Sequence, residues 1–130
     1  MKKIGIICKS GRPEPLEILK DLLPWLGKKG LETFLDIETA PMLNAKGYSR
    51  SEIPKIAEVI IVLGGDGTML NVARLVCEKG IPILGVNLGG LGFITEVQIE
   101  ELHDAMEKVL SRECSSEERI MLTAYIHRHG

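Results

Sequence analysis

Hydrophobic residues in this chain fall into short continuous runs separated by longer stretches in which they recur at helical spacing. Lys3 to Cys8 is the first continuous run, ended by Lys9-Ser10-Gly11-Arg12-Pro13, and it reads as a strand followed by a turn. In Leu16 to Lys29, Leu16, Leu19, Leu23 and Leu26 make one stripe and Ile18, Leu22 and Trp25 another, the broad apolar face of a helix that packs on a sheet. Pro24 is expected to kink this helix or end its first segment, and Gly30 to stop it. Leu31 to Asp36 follows as a second strand. From Ile37 to Pro54 no period is visible, so this stretch is expected to be a flap or a connection containing a short helix.

Glu58 to Leu63 is apolar after its first residue, the pattern of a parallel strand buried on both faces. The helix predicted over Gly67 to Glu78 presents Leu70, Ala73, Leu75, Val76 and Cys77 inward, and Lys79-Gly80 closes it. Ile81 to Val86 is a further strand, with Pro82 at its start. Ile99, Leu102, Ala105, Met106, Val109 and Leu110 then repeat at helical spacing to about Arg112. Ser115 to Arg119 is polar, and Ile120 to His127 reads as a last strand. Strands alternating with helices in this way imply an open, mostly parallel α/β sheet in three layers, with helices on both faces and right-handed crossovers.

Composition narrows the class. The chain has 130 residues, enough to bury a core without staples, and is 45% hydrophobic and 26% charged, neither disordered nor membrane-like. A formal net charge of -2 and the lack of any long Lys/Arg run exclude a nucleic-acid footprint. The three cysteines, Cys8, Cys77 and Cys114, are widely spaced and in no metal-binding pattern, which suits reduced thiols of a cytoplasmic protein. No run is long enough for a signal peptide or a membrane span.

The chemistry concentrates after the buried strand, in Gly64-Gly65-Asp66-Gly67-Thr68. Glycines where a strand turns into a helix let the backbone approach an anion, and the first N–H groups of the helix favour negative charge there. Asp66 would repel a phosphate unless it holds a metal or takes a proton from an attacking hydroxyl, which points to phosphoryl transfer. The plainer reading makes Asp66 and Thr68 helix caps, but a cap needs one residue and does not need the glycines. A second glycine-rich turn, Asn87 to Phe93, opens on the same sheet edge, and Phe93 would serve as core or as a wall for a purine. Arg74 reads as a solvated or salt-bridging residue, and His103, His127 and His129 as surface histidines. The P-loop pattern is absent, and Leu70 stands where the dinucleotide fingerprint needs its third glycine.

Gly64-Gly65-Asp66-Gly67-Thr68-Met69-Leu70 followed by Gly85-Val86-Asn87-Leu88-Gly89-Gly90-Leu91-Gly92-Phe93-Ile94-Thr95-Glu96 resembles the NAD kinase family. Diacylglycerol and sphingosine kinases share the first motif, and phosphofructokinases carry a variant; the second is more particular to NAD kinases. The resemblance implies a Rossmann-like or phosphofructokinase-like sheet, and transfer of the ATP γ-phosphate to the adenosine 2′-hydroxyl of NAD. It makes Asp66 the proton acceptor. Asp66, Gly67, Leu70 and Phe93 would meet NAD, Gly64, Gly65 and Thr68 would cradle phosphates, and Asn87, Gly89 and Ile94 would complete the binding loop. Magnesium would be held mainly through the nucleotide phosphates, with no dedicated metal ligands. The partners expected are small nucleotides, not nucleic acid or membrane, with a homo-oligomer in the full-length protein. Residues 1–114 would be the nucleotide-binding domain and 115–130 the start of a truncated β-rich domain, leaving the isolated fragment inactive. The alternatives are the nucleotide domain of a lipid kinase and a non-catalytic α/β module.

Overall fold

The computed structural model describes residues 2–89 and 97–111. Its elements are β1 (Lys3–Cys8), α1 (Glu14–Lys28), β2 (Glu32–Asp36), β3 (Gly47–Tyr48), α2 (Ile53–Ile56), β4 (Val59–Gly64), α3 (Asp66–Val76), β5 (Ile83–Asn87), β6 (Val97–Gln98) and α4 (Leu102–Ser111). The strands form one sheet in the order β3-β2-β1-β4-β5-β6, and every pairing in it is parallel. Two-residue strands at both edges, β3 and β6, were not visible as periodic runs.

The pleat divides the core into two layers. Ile4, Ile6, Val59, Ile61, Leu63 and Val86 face Leu19, Leu22 and Leu26 of α1 and Leu102 and Met106 of α4. On the other side Ile7, Ile60 and Val62 meet Ile53 of α2 and Val72 and Val76 of α3. All six residues of β4 are buried, as its unbroken apolar run requires. Each of the five aliphatic side chains from Val59 to Leu63 contributes roughly 1.5–3 kcal/mol by leaving water. Gly5 lets α2 settle on this face, since a Cβ there would stand 2.5 Å from Ile53 Cγ2.

Several local expectations change. Pro24 does not end α1, which runs on to Lys28. It is exposed, so the carbonyl it leaves unbonded is open to water. Cys77 lies beyond the end of α3 and is exposed, whereas Val72 joins the buried face. His103 is half-buried: its ring stacks on Trp25 with centroids 4.7 Å apart, and its Nε2 lies 3.3 Å from Asp21 Oδ2. Arg74 is exposed on α3. The strand expected over Ile120 to His127 lies outside the described residues.

The aperiodic stretch after β2 is a connection with a 3-10 turn (Ala40–Leu43), the edge strand β3 and the single turn of α2. Asp36 organises its start. This fully buried carboxylate accepts hydrogen bonds from the backbone N–H of Cys8 (2.8 Å), Glu38 (2.9 Å) and Thr39 (2.8 Å), tying the ends of β1 and β2 together. Burial beside it pushes the Cys8 thiol up to about 12, so Cys8 stays protonated and inert.

Candidate active site

The chain runs outward from β1 to β2 and β3, then returns to place β4 on the other side of β1. Strand order therefore reverses between β1 and β4, and the crevice at a parallel sheet's ligand edge opens beyond their carboxyl ends, Cys8 and Gly64. Lys9 N–H donates to Leu63 O at 2.8 Å and keeps the two strands side by side to that edge.

Only Gly65 separates β4 from α3. It occupies the capping position in extended conformation (φ -135°, ψ -165°), and Met69 N–H donates to its carbonyl at 3.0 Å. Asp66 is thus the first helical residue and not the cap, with its carboxylate at the positive end of α3. Leu70, half-buried, follows one turn later on the same side of the helix.

The three glycines of the turn have different reasons to be glycine. Gly64 faces α3, where a Cβ would come 2.7 Å from Thr68 Oγ1 and 2.9 Å from Thr68 Cβ, so packing of the helix on the strand end demands it. Among the described residues an added Cβ at Gly65 or Gly67 meets no heavy atom within 4 Å, and neither glycine has positive φ. Among the described residues nothing requires glycine at these two positions. The free space beside them admits a group that must come close to the backbone, as phosphates at a helix N-terminus do.

The second turn is stitched to the first. Asn87, the last residue of β5, stands in register with Gly64, and Leu88 N–H donates to Gly64 O at 2.9 Å. Asn87 is buried, and its Oδ1 accepts from Gly89 N–H at 2.8 Å. The structure therefore brings Gly64, Gly65, Asp66, Gly67, Thr68, Leu70, Asn87 and Gly89 to one sheet edge; Phe93 and Ile94 lie outside the described residues.

Sequence reasoning missed Arg50. It sits in the aperiodic connection, where no motif or spacing singles it out, yet it reaches the same edge. Its Nη2 donates to Cys8 O at 2.7 Å and its Nη1 to Asn71 Oδ1 of α3 at 3.4 Å.

Sheet and turn together define a parallel α/β domain with a glycine-rich strand-to-helix turn at its topological switch. Comparison with known proteins makes the assignment particular. The model of the ATP-NAD kinase N-terminal domain matches residues 4–114, and the chain belongs to that family. It is 46% identical over 132 residues to an NAD kinase of Syntrophotalea carbinolica, with 100% of this chain and 46% of that protein covered. An NAD kinase of Geotalea daltonii is 41% identical over 131 residues, with the same coverage of 100% and 46%. The chain thus spans about half the length of the curated relatives it matches. A crystal structure of yeast NADH kinase complexed with NADH shares the fold, with a TM-score of 0.73 at 19% identity, over 85% of this chain and 38% of that one.

Proposed function

We propose that this chain is the nucleotide-binding part of an enzyme that phosphorylates NAD at the adenosine 2′-hydroxyl with ATP, yielding NADP. The observation that carries the reading is the open space beside Gly65 and Gly67, glycines that neither packing nor backbone conformation explains. Membership of the family and the names of its relatives supply the substrates.

In this reading Asp66 orients the 2′-hydroxyl and accepts its proton as the oxygen attacks the γ-phosphorus. The bond to the β-phosphate oxygen breaks and ADP leaves. Bound ATP supplies the electrophilic phosphoryl group. A carboxylate at a helix N-terminus is a weak base, so Asp66 acts chiefly by aiming the hydroxyl in a loose transfer. The backbone of Gly64 to Thr68 receives phosphates, Gly67 and Leu70 border the adenosine, and Asn87 holds the second turn against the first. Among the described residues no cluster of three His, Cys, Asp or Glu side chains forms a metal site. Magnesium in this reading is held mainly through the nucleotide phosphates. Residues 1–114 form the nucleotide-binding domain in this scheme, 115–130 begin a β-rich one, and Phe93 and Ile94 complete the adenosine wall. Among the described residues no helix is long and apolar enough to cross a membrane. The enzyme in this reading is a cytoplasmic homo-oligomer working on small nucleotides.

Substituting Asp66→Asn in the complete gene product tests the assignment. NADP formation should fall by about 10²–10⁴, the usual worth of a positioned proton acceptor, while the melting temperature falls by only a few degrees from the lost charge at the helix N-terminus. Near-normal NADP production by the variant would remove Asp66 from the mechanism.

A further inference from the structure

We propose that Arg50 is a binding residue for the phosphate chain of the phosphoryl donor, held ready in the crevice between β1 and α3. The inference rests on the phosphotransfer reading above and adds to it a cation from outside both glycine-rich turns.

Arg50 stands at the switch point itself. Its two hydrogen bonds go to Cys8 O, the last carbonyl of β1, and to Asn71 Oδ1. Asn71 lies one turn beyond Gly67 on α3, so it shares the side of the helix that carries the open glycine. Arg50 is thus anchored from a sheet end and a helix side, and its remaining donors are not all engaged. Nε has no hydrogen-bond partner and no accessible surface. Among the described residues no carboxylate lies within ion-pair distance of the guanidinium. The one buried carboxylate nearby, Asp36, is occupied by the N–H groups of Cys8, Glu38 and Thr39.

A partly buried guanidinium with an orphaned donor and, among the described residues, no counter-ion is costly on its own. An anion entering the crevice supplies the missing counter-charge and accepts from the Nη hydrogens that Cys8 O and Asn71 Oδ1 leave over. The planar fork matches phosphate oxygens, and the two protein anchors already restrict its rotamers, so little entropy is lost on binding. The donor's polyphosphate fits better than the single-bonded chemistry of a sugar hydroxyl, because it brings charge as well as acceptors.

A purely structural strap is the competing role, since Arg50 also joins the β2-to-β4 connection to β1 and α3. Kinetics and direct binding on the complete gene product separate the two. With Arg50→Gln the KM for ATP should rise about ten- to hundredfold, the usual effect of removing a charge-assisted hydrogen bond, while the KM for NAD stays within about twofold. Affinity for inorganic tripolyphosphate, measured by calorimetry, should fall by the same factor. Arg50→Lys keeps the charge without the fork and should retain the wild-type melting temperature with an affinity deficit of about three- to tenfold. If R50Q fails to fold, R50K decides. Unchanged tripolyphosphate affinity in the folded variants overturns the proposal, as does a KM rise confined to NAD. Failure of the unsubstituted protein to make NADP would sink the phosphotransfer reading alone, because tripolyphosphate binding would still test Arg50.

Discussion

Replacing each glycine of the Gly64-Gly65-Asp66-Gly67 turn by alanine should separate stability from ligand affinity. At Gly67 the new Cβ meets nothing within 4 Å, and the residue is exposed at the second position of α3. Alanine there loses less conformational entropy on folding than glycine, so Gly67→Ala should stabilise the ligand-free chain by about 0.5–1 kcal/mol. For a domain of this size that raises the melting temperature by about 2–4 °C. The same methyl stands in the space through which phosphates would reach the backbone. A clash there costs about 1–3 kcal/mol, weakening ATP or NAD by roughly five- to 150-fold. Gly64→Ala should behave oppositely: contact at 2.7 Å with Thr68 Oγ1 overpacks the strand end and lowers the melting temperature by about 4–12 °C. Differential scanning fluorimetry with and without nucleotide, followed by calorimetric titration, reads both quantities. A Gly67→Ala protein that binds nucleotide as tightly as the wild type, or that melts lower without ligand, would refute the view that this glycine is kept for a ligand.

Two further perturbations test how the edge is held. Asp36→Asn turns one acceptor oxygen into a donor facing an amide N–H, at Cys8 on one side or at Glu38 and Thr39 on the other. The unmatched buried pair should cost about 2–3 kcal/mol and lower the melting temperature by about 6–12 °C; a fall under about 2 °C would show that the connection relaxes around it. Glu58 accepts hydrogen bonds from Lys2 N–H (3.0 Å) and Lys3 N–H (3.2 Å), which hold its carboxyl below the usual value of 4.5. A depressed folded value means that its stabilisation is complete above the unfolded value and is lost as pH falls through the folded one. Glu58→Gln should therefore flatten the decline of melting temperature from about pH 6 to about pH 3, and an unchanged slope would assign that decline to other carboxylates.

The proposed roles share one physical theme. Gly64, Asp36 and Arg50 each touch the carboxyl ends of β1 or β4, where a parallel sheet stops supplying hydrogen bonds to its own last residues. Cys8 N–H goes to Asp36 Oδ2, Cys8 O to Arg50 and Gly64 O to Leu88 N–H, so the crevice floor is closed by groups from the end of β2, the connection after it and the turn after β5. Such a floor holds its shape before any ligand arrives, which is what positioning catalysis requires.

Much of this was legible in the residues. Continuous apolar runs announced β1, β4 and β5, because only strands covered on both faces have apolar residues at every position. The Gly64 to Thr68 turn was visible because several residues with special backbone demands fall together between a strand and a helix. Helical spacing located α1, α3 and α4 but erred on Cys77, since a period does not say where a helix ends. Pro24 misled because its effect depends on whether the carbonyl it leaves unbonded faces the core or water, which is a property of the folded face.

What the sequence by itself determined is therefore local: which segments are strands or helices, and which turn gathers the glycines and the acid on which the proposed phosphate chemistry rests. Tertiary structure alone decided the strand order, which puts the switch point between β1 and β4. It also decided which glycines answer to packing and which to open space, and it brought Arg50 42 residues along the chain to the carbonyl of Cys8. Periodicity reports only which side of an element is covered, whereas strand order and long-range hydrogen bonds depend on which elements cover one another. That choice is settled by the packing of all the layers at once.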